Sequence, residues 1–305
     1  MNIVVTTTWN SEALIGIFLD HYQQLGFDRV LLMDFGSIDG TLDVLHSQKY
    51  RDFVELAPFP GLGGLDSSQL MLEMMRERLA ADTGCLFCDP DELLVTPVGA
   101  PLWRLDCAND DGMTIPRYNM TGHLPTILAD PTQVTALGSL NLRIDGRCAR
   151  QPAVDMWKEN LDPPWIYTDI PGKIFVRLGK TVSIGAGDHS AVLREGETGA
   201  APEGAYFLHY PIRSYEEFAE KVRMYGVHFE RNPQLPQGWG WHARRWVRIA
   251  REGRLRDEYE QQFPSGSLAH RLIQAGDLVM DDGVRILHLQ DRLVPDESVR
   301  ENGVS

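Results

Sequence analysis

Over the first ninety residues, short apolar runs alternate with stretches of helical spacing, and each run stops at a polar cluster. Asn2–Thr8 is β-branched and apolar and reads as a buried strand. Ser11 can cap a helix in which Leu14, Ile17, Phe18, Tyr22 and Leu25 recur at helical spacing, and Gly26 ends it. Arg29–Asp34 is a second strand; the turn Phe35–Thr41 then enters a helix through Leu42 and Leu45. Phe53–Leu56 reads as a third strand. Asp66, with Gln69 three residues on, resembles a capping box opening a helix through Leu70, Met74 and Leu79. Gly84–Cys88 is the fourth strand. Strands alternating with helices predict a mostly parallel sheet with right-handed crossovers. Ligands of such sheets bind beyond the C-terminal ends of the strands.

Three polar clusters therefore belong on one rim: Thr8-Trp9-Asn10, Asp34 with Ser37 and Asp39, and Asp89-Asp91-Glu92. Asp89 and Asp91 are two apart, so at the end of an extended segment both side chains can project to the same side. Two carboxylates aimed at one point repel unless a positive group lies between them, most simply a divalent cation with a phosphate beyond it. A solvated turn is the competing reading, since Asp and Pro both favour turns; the shared rim weighs towards the cation. No G-x-G-x-x-G follows the first strand and no G-x-x-x-x-G-K-[ST] occurs, which argues against a dinucleotide dehydrogenase or a P-loop NTPase. Gly61-Leu62-Gly63-Gly64 reads as a flexible loop over the rim.

The 305 residues suit one large domain or two modest ones. A formal net charge of −14 makes nonspecific adhesion to nucleic acid or an anionic membrane an unfavourable default, so an anionic substrate would need local basic groups or a metal. Met1–Thr6 lacks the basic start and long apolar segment of a signal peptide, and no window approaches the ~20 apolar residues of a membrane span. Cys85-x-x-Cys88 lies inside an apolar run with its members on opposite faces of a strand. Burial of both thiols and a reducing, cytoplasmic setting are expected.

Further on, a short helix is expected over 99–107, then a strand over Met113–Asn119 leading to His123. The Pro-, Asp- and Gly-rich stretch 129–170 predicts an irregular, partly mobile insertion. Strands follow at Lys173–Arg177, Thr181–Ile184, Ala191–Leu193 and Ala205–Tyr210, with Asp188-His189 after a Gly-Ala-Gly loop. Ser214 and Glu217 form a capping box for a helix carrying Lys221. From residue 226 the chain turns helical; Trp246 and Ile249 mark a packing face with arginines on the other side. A packed helix is favoured there over a membrane-surface or partner patch. The residues from Val294 are expected to fray.

Four segments in order resemble glycosyltransferase family 2 and its relatives, most closely a family 92-like branch, over roughly residues 2–225. They are Thr8-Trp9-Asn10-Ser11-Glu12, Asp34-Phe35-Gly36-Ser37-x-Asp39-Gly40-Thr41, Asp89-Pro90-Asp91-Glu92-Leu93, and the run His209-Tyr210-Pro211-Ile212-Arg213-Ser214 with Phe218 and Lys221 beyond. Ser11 is inserted before Glu12, and Leu93 stands where that branch usually has phenylalanine. The resemblance implies a GT-A fold, α/β with a mostly parallel central sheet flanked by helices. Residues 1–225 would be the catalytic domain, with 1–98 its nucleotide-binding half and 99–225 its acceptor half, and 226–305 a helical C-terminal extension. The implied activity is transfer of a sugar, with inversion, from a nucleotide-sugar donor (a UDP-sugar by default) to a hydroxyl of a glycan or lipid-linked acceptor.

By the same resemblance, Asp89 and Asp91 would hold Mn²⁺ or Mg²⁺ against the diphosphate, with His209 as a further contact and His189 as second choice. Asp34 and Asp39, with Thr8, Asn10 and Ser37, would line the nucleotide pocket. Lys173, Arg213 and Lys221 could neutralise phosphate. An inverting transfer needs a general base; Asp188, Glu92, Asp169 and Asp155 are the candidates, and Glu92 also reads as a residue that orients its neighbours. Nucleic acid is not an expected partner, membrane association would be at most peripheral at the inner face, and the oligomeric state stays open. A nucleotidyltransferase on a similar sheet and a catalytically silent sugar- or nucleotide-binding protein are the alternatives. The first would normally show a Gly- and Arg-rich phosphate loop after the first strand, which Thr6–Asn10 is not.

Overall fold

The computed structural model describes residues 1–58, 67–97, 111–122 and 141–281. In chain order the strands are β1 (Asn2–Thr8), β2 (Arg29–Asp34), β3 (Val54–Ala57), β4 (Gly84–Phe87), β5 (Glu92–Val95), β6 (Gly112–Ile115), β7 (Arg117–Thr121), β8 (Leu142–Ile144), β9 (Lys173–Arg177), β10 (Thr181–Ile184), β11 (Ala191–Leu193), β12 (Gly199–Ala200), β13 (Tyr206–His209) and β14 (Leu278–Met280). The chain forms two compact units that interleave in sequence: Met1–Pro116 with Gly172–Phe207, and Arg117–Pro171 with Leu208–Asp281.

The first unit is built on a sheet of order β12-β6-β9-β4-β1-β2-β3. β4, β1, β2 and β3 run parallel, as the strand–helix alternation predicts. β9 is antiparallel to both of its neighbours, β4 and β6. The two faces separate by the period of two intrinsic to a strand. Ile3, Val5, Leu31, Met33, Cys85, Phe87, Ile174 and Val176 share one face and pack against Met71, Leu72 and Met75 of the helix Ser67–Arg78. The alternate positions, Val4, Leu32 and Leu86, are equally buried. On that side lies α1 (Glu12–Gln24), whose Tyr22 hydroxyl is 3.4 Å from the Cys88 thiol. Both faces are covered by helices, which is why these strands read as continuous apolar runs rather than as alternating ones. Each fully buried Leu, Ile or Met contributes ~1.5–3 kcal/mol of transfer free energy.

In the second unit, β14, β8, β7 and β13 lie side by side in that order. Four helices, Tyr215–Arg231, Trp241–Arg251, Leu255–Gln261 and Gly266–Ala275, group with them. The helix from Tyr215 opens as predicted: Ser214 Oγ accepts from the Glu217 amide, and the Glu217 carboxylate accepts from the Ser214 amide.

Several expectations are corrected. The strand expected over Met113–Asn119 is two strands, β6 and β7, because Pro116 has no amide proton to continue a ladder. Its carbonyl instead accepts from the Phe207 amide at 2.8 Å. The described part of the Pro-rich insertion is anchored, not loose. Met156, Leu161, Trp165, Ile166 and Tyr167 are buried; the Ile166 amide donates to Gln262 Oε1, and its carbonyl accepts from Asn119 Nδ2. Trp246 and Ile249 face inward as predicted, but so does Arg245, which was expected among the outer arginines. β14, antiparallel to β8, was not anticipated. The Asp66 cap, the glycine loop at 61–64, the helix over 99–107, His123 and the fraying terminus lie outside the described residues. Among the described residues, no helix is long and apolar enough to cross a membrane.

Candidate active site

The parallel register brings the predicted rim together. Thr8 pairs with Asp34, and Val5 with Phe87, so the residues after β1, β2 and β4 emerge at one edge of the sheet. Two side-chain networks form there.

The first network locks the loops after β1 and β2 to each other. Asp34 Oδ2 accepts from the Gly36 and Ser37 amides, both at 2.9 Å, while Oδ1 takes the Ser37 hydroxyl at 2.5 Å. Ser37 Oγ in turn accepts from the Asn10 amide, and Asn10 Oδ1 accepts from the Ile38 amide, each at 2.8 Å. Asn10 sits at φ 47°, a left-handed conformation that Asn tolerates better than most residues. Asp39 Oδ1 accepts from the Thr41 amide and hydroxyl, and Oδ2 from the Glu12 amide. Burial by itself would raise the Asp39 carboxyl, but hydrogen bonds from Thr41, then from the Glu12 amide, hold it below its usual value. Glu12 answers by accepting from the Gly40 amide, at a point where any side chain on Gly40 would strike the Glu12 carboxylate. Asp34, Asp39, Asn10 and Ser37 thus shape the loops around them. Thr8, at the head of this rim, is buried, and its hydroxyl has no hydrogen-bond partner among the described residues.

The second network centres on Lys173, the first residue of β9. Because β9 runs against β4, its N-terminal end lies at the C-terminal rim, two residues before the Phe175–Leu86 pair. The ammonium is 2.7 Å from Asp89 Oδ2, 3.0 Å from the Gly187 carbonyl, 3.4 Å from Glu92 Oε2 and 3.8 Å from Asp188 Oδ2. Lys173 and Glu92 are 1% and 0% exposed, whereas Asp89 is 44% exposed. Glu92 Oε2 also accepts from the Asp89 amide at 2.8 Å. A carboxylate oxygen of Asp91 lies within 4.8 Å of one of Glu92.

From behind, the Tyr22 hydroxyl donates to the Glu92 carbonyl at 2.9 Å, and His21 Nε2 is 2.8 Å from the Leu94 carbonyl. Both residues brace β5. Sequence reading placed Tyr22 only on an apolar helix face and passed over His21. The Asp188 loop is held in left-handed backbone, with Gly187 at φ 71° and Asp188 at φ 62°. His189 Nδ1 lies 2.9 Å from the Gly172 carbonyl, which fixes it as the protonated ring nitrogen.

The chemistry of these donors fits a hard divalent cation. Asp89 and Asp91 offer carboxylate oxygens, the ligands that Mg²⁺ and Mn²⁺ prefer. The lysine on Asp89 already acts as a counter-ion, yet Asp89, Glu92 and Asp188 outnumber it. The other predicted residues belong to the second unit. There Asn119 Nδ2 donates to the Ile166 carbonyl, so its Oδ1 faces His209 Nδ1 at 2.7 Å. This makes Nδ1 of His209 a protonated donor. Arg213 donates to Glu217 and to the Tyr210 carbonyl, bracing the start of its helix. Lys221 Nζ lies 3.5 Å from the Pro211 carbonyl.

The paired cysteines are inert by geometry. Both are buried and unpaired with each other, Cys85 beside Met75 and Cys88 beside Tyr22 on the opposite face. Burial pushes the Cys85 thiol up to about 12 and raises that of Cys88.

No protein-family model matches the sequence, and no curated protein matches it at a significant level. Among solved structures the chain is similar to S. aureus TarS 1-349 in complex with UDP-GlcNAc, with 13% identity, a TM-score of 0.39, and coverage of 90% of this chain and 92% of that one. Full TarS gives 16% identity and a TM-score of 0.36, and the chain spans 43% of that protein's length. HddC from Yersinia pseudotuberculosis gives 13% identity and a TM-score of 0.32, over 72% of this chain and 97% of that one. These are remote likenesses.

Proposed function

We propose that the protein is a glycosyltransferase of GT-A architecture that depends on a divalent metal and moves a sugar from a nucleotide donor, by default a UDP-sugar, to a hydroxyl acceptor. The observation that supports this most is the convergence of Asp89, Glu92 and Asp188 around Lys173, with Asp91 beside Glu92, at the rim that the Asn10, Asp34 and Asp39 loops also reach. Ligands of parallel sheets bind at that edge. Residues 1–98 are assigned the donor half, 99–225 the acceptor half, and 226–305 a helical extension.

In this reading Asp89 and Asp91 hold Mn²⁺ or Mg²⁺, which when bound would neutralise charge developing on the departing diphosphate. Glu92 keeps the turn in shape by accepting the Asp89 amide. Thr8, Asn10, Asp34, Ser37 and Asp39 shape the floor that receives the nucleoside. Asp188 is the proposed base for the acceptor hydroxyl, with inversion as the stereochemical outcome. His209 is proposed as a further contact to the metal or phosphate. Arg213 and Lys221 are proposed to draw the anionic donor into a protein of net charge −14. The acceptor is proposed to be a glycan or lipid-linked hydroxyl, and the setting cytoplasmic, with membrane contact at most peripheral.

The test is release of UDP from a panel of UDP-sugars, with Mn²⁺ and with EDTA. Mn²⁺-dependent release with at least one donor is the expected result. If no donor is turned over but nucleotide or sugar still raises the melting temperature, the protein is a binding protein rather than a transferase.

A further inference from the structure

Sequence reasoning offers Lys173 as a phosphate ligand, yet its ammonium is buried and surrounded by protein oxygens. We propose that Lys173 is instead a positioning residue that sets the cation affinity of the rim and holds the Asp188 loop in register with Asp89. This inference rests on the metal-dependent reading above.

One ammonium joins two separate pieces of chain. It donates to Asp89 Oδ2 at 2.7 Å on the β4–β5 turn and to the Gly187 carbonyl at 3.0 Å on the loop between β10 and β11. Asp188 Oδ2 lies 3.8 Å away, on backbone held at φ 62°. Gly187 adopts its left-handed conformation freely, whereas that of Asp188 is held by the contacts around it. The same region is pinned again where His189 Nδ1 donates to the carbonyl of Gly172, the neighbour of Lys173. Lys173 is 1% exposed, so a diphosphate arriving from solvent meets Asp89 before it meets the lysine.

The electrostatic consequence has a definite sign. A fixed positive charge one carboxylate away repels a divalent ion, and that repulsion falls off only as the inverse of distance. Its opposing contribution is the ordering of one short side chain, Asp89, which is the smaller effect. Lys173 therefore weakens cation binding while it improves geometry. Removing it should tighten Mn²⁺ binding and slow turnover, because Asp89 and Asp188 lose their fixed separation.

The experiment compares the full-length protein with Lys173→Met. Mn²⁺ affinity is read from the electron paramagnetic resonance signal of free Mn²⁺ without donor, and UDP release is read at saturating Mn²⁺. The expected result is Mn²⁺ binding about tenfold tighter and kcat lower by about 30-fold or more, with the donor KM little changed. Lys173→Met/Asp188→Asn should be no slower than the slower single variant, because the lysine acts through Asp188. Lys173→Gln, which drops the charge but keeps a hydrogen-bond donor near Asp89 and Gly187, carries the Mn²⁺ measurement if Lys173→Met does not fold. Unchanged or weaker Mn²⁺ affinity, or additive losses in kcat, would overturn the proposal. Failure of both Lys173 variants to fold, read by circular dichroism, would assign the lysine to the fold alone and also overturn it. Absence of Mn²⁺ binding by the unmodified protein would instead sink the metal-dependent reading, and this inference with it.

Discussion

Lys173 in the first unit and Arg245 in the second, both buried, meet their counter-charges in opposite ways. Arg245 is 0% exposed and pairs with Glu258 through two hydrogen bonds, at 3.1 and 3.0 Å. Its remaining N–H groups reach the carbonyls of Asp155, Lys158 and Glu159. All five guanidinium donors are used, and one positive charge meets one negative charge. Lys173 has three donors and one charge, yet Asp89, Glu92 and Asp188 lie within 4 Å of it, and Asp89 opens to solvent. A balanced pair is what a fold needs to bury a charge; a negative excess at an exposed rim is costly to the fold and useful to a ligand of opposite sign. The contrast separates a structural ion pair from a candidate site.

The largest expected effect breaks the contrast at the acidic end. Asp89→Asn or Asp91→Asn should lower Mn²⁺-stimulated UDP release about 10²–10³-fold while the melting temperature stays close to that of the unmodified protein. Retained activity and metal affinity in both variants would remove the central assignment. At the balanced end, Arg245→Met strands the Glu258 carboxylate and should destabilise the protein by ~3–5 kcal/mol in urea denaturation. Arg245→Met/Glu258→Leu should recover most of that loss. Equal losses in the single and double variants would mean that packing, not charge, is what Arg245 provides.

Smaller effects sharpen the same line between scaffold and site. Ser214→Ala removes the cap of the helix from Tyr215 and should cost ~1 kcal/mol, with kcat unchanged. Asp39 has a folded-state carboxyl held below its usual value, so its stabilising contribution is complete above the unfolded-state value and is lost as pH falls through the folded one. Thermal melts between pH 6 and 3 should therefore show a shallower acid loss for Asp39→Asn than for the unmodified protein. Smallest of all, Cys85 and Cys88 should resist a thiol reagent at pH 8 in the native state and react on unfolding. Fast native labelling at either position would contradict their burial.

Much of the first unit was legible in order along the chain. The apolar runs at Asn2–Thr8, Arg29–Asp34 and Gly84–Phe87 are strands because a strand buried on both faces must be apolar at every position. Their parallel pairing follows from the helices between them. The capping box at Ser214 and Glu217 was equally readable, since it spans only four residues. In the second unit less could be read. Pro116 splits one expected strand into two, and Trp165–Tyr167 is a buried anchor inside a segment whose composition suggests a loop.

What the sequence determined by itself is the alternation of elements, the sheet they form and the side of it on which Asp34, Asp39, Asp89 and Asp91 emerge. Periodicity and turn chemistry act over a few residues, and those positions depend on little else. Only the tertiary structure decided what Lys173 and Arg245 do, because a buried charge is defined by groups far away in the chain. Lys173 meets Asp89 across 84 positions, and only because β9 enters the sheet antiparallel, with its first residue at the carboxylate rim. Coulomb interactions are set by distance in space; no spacing in the sequence records them.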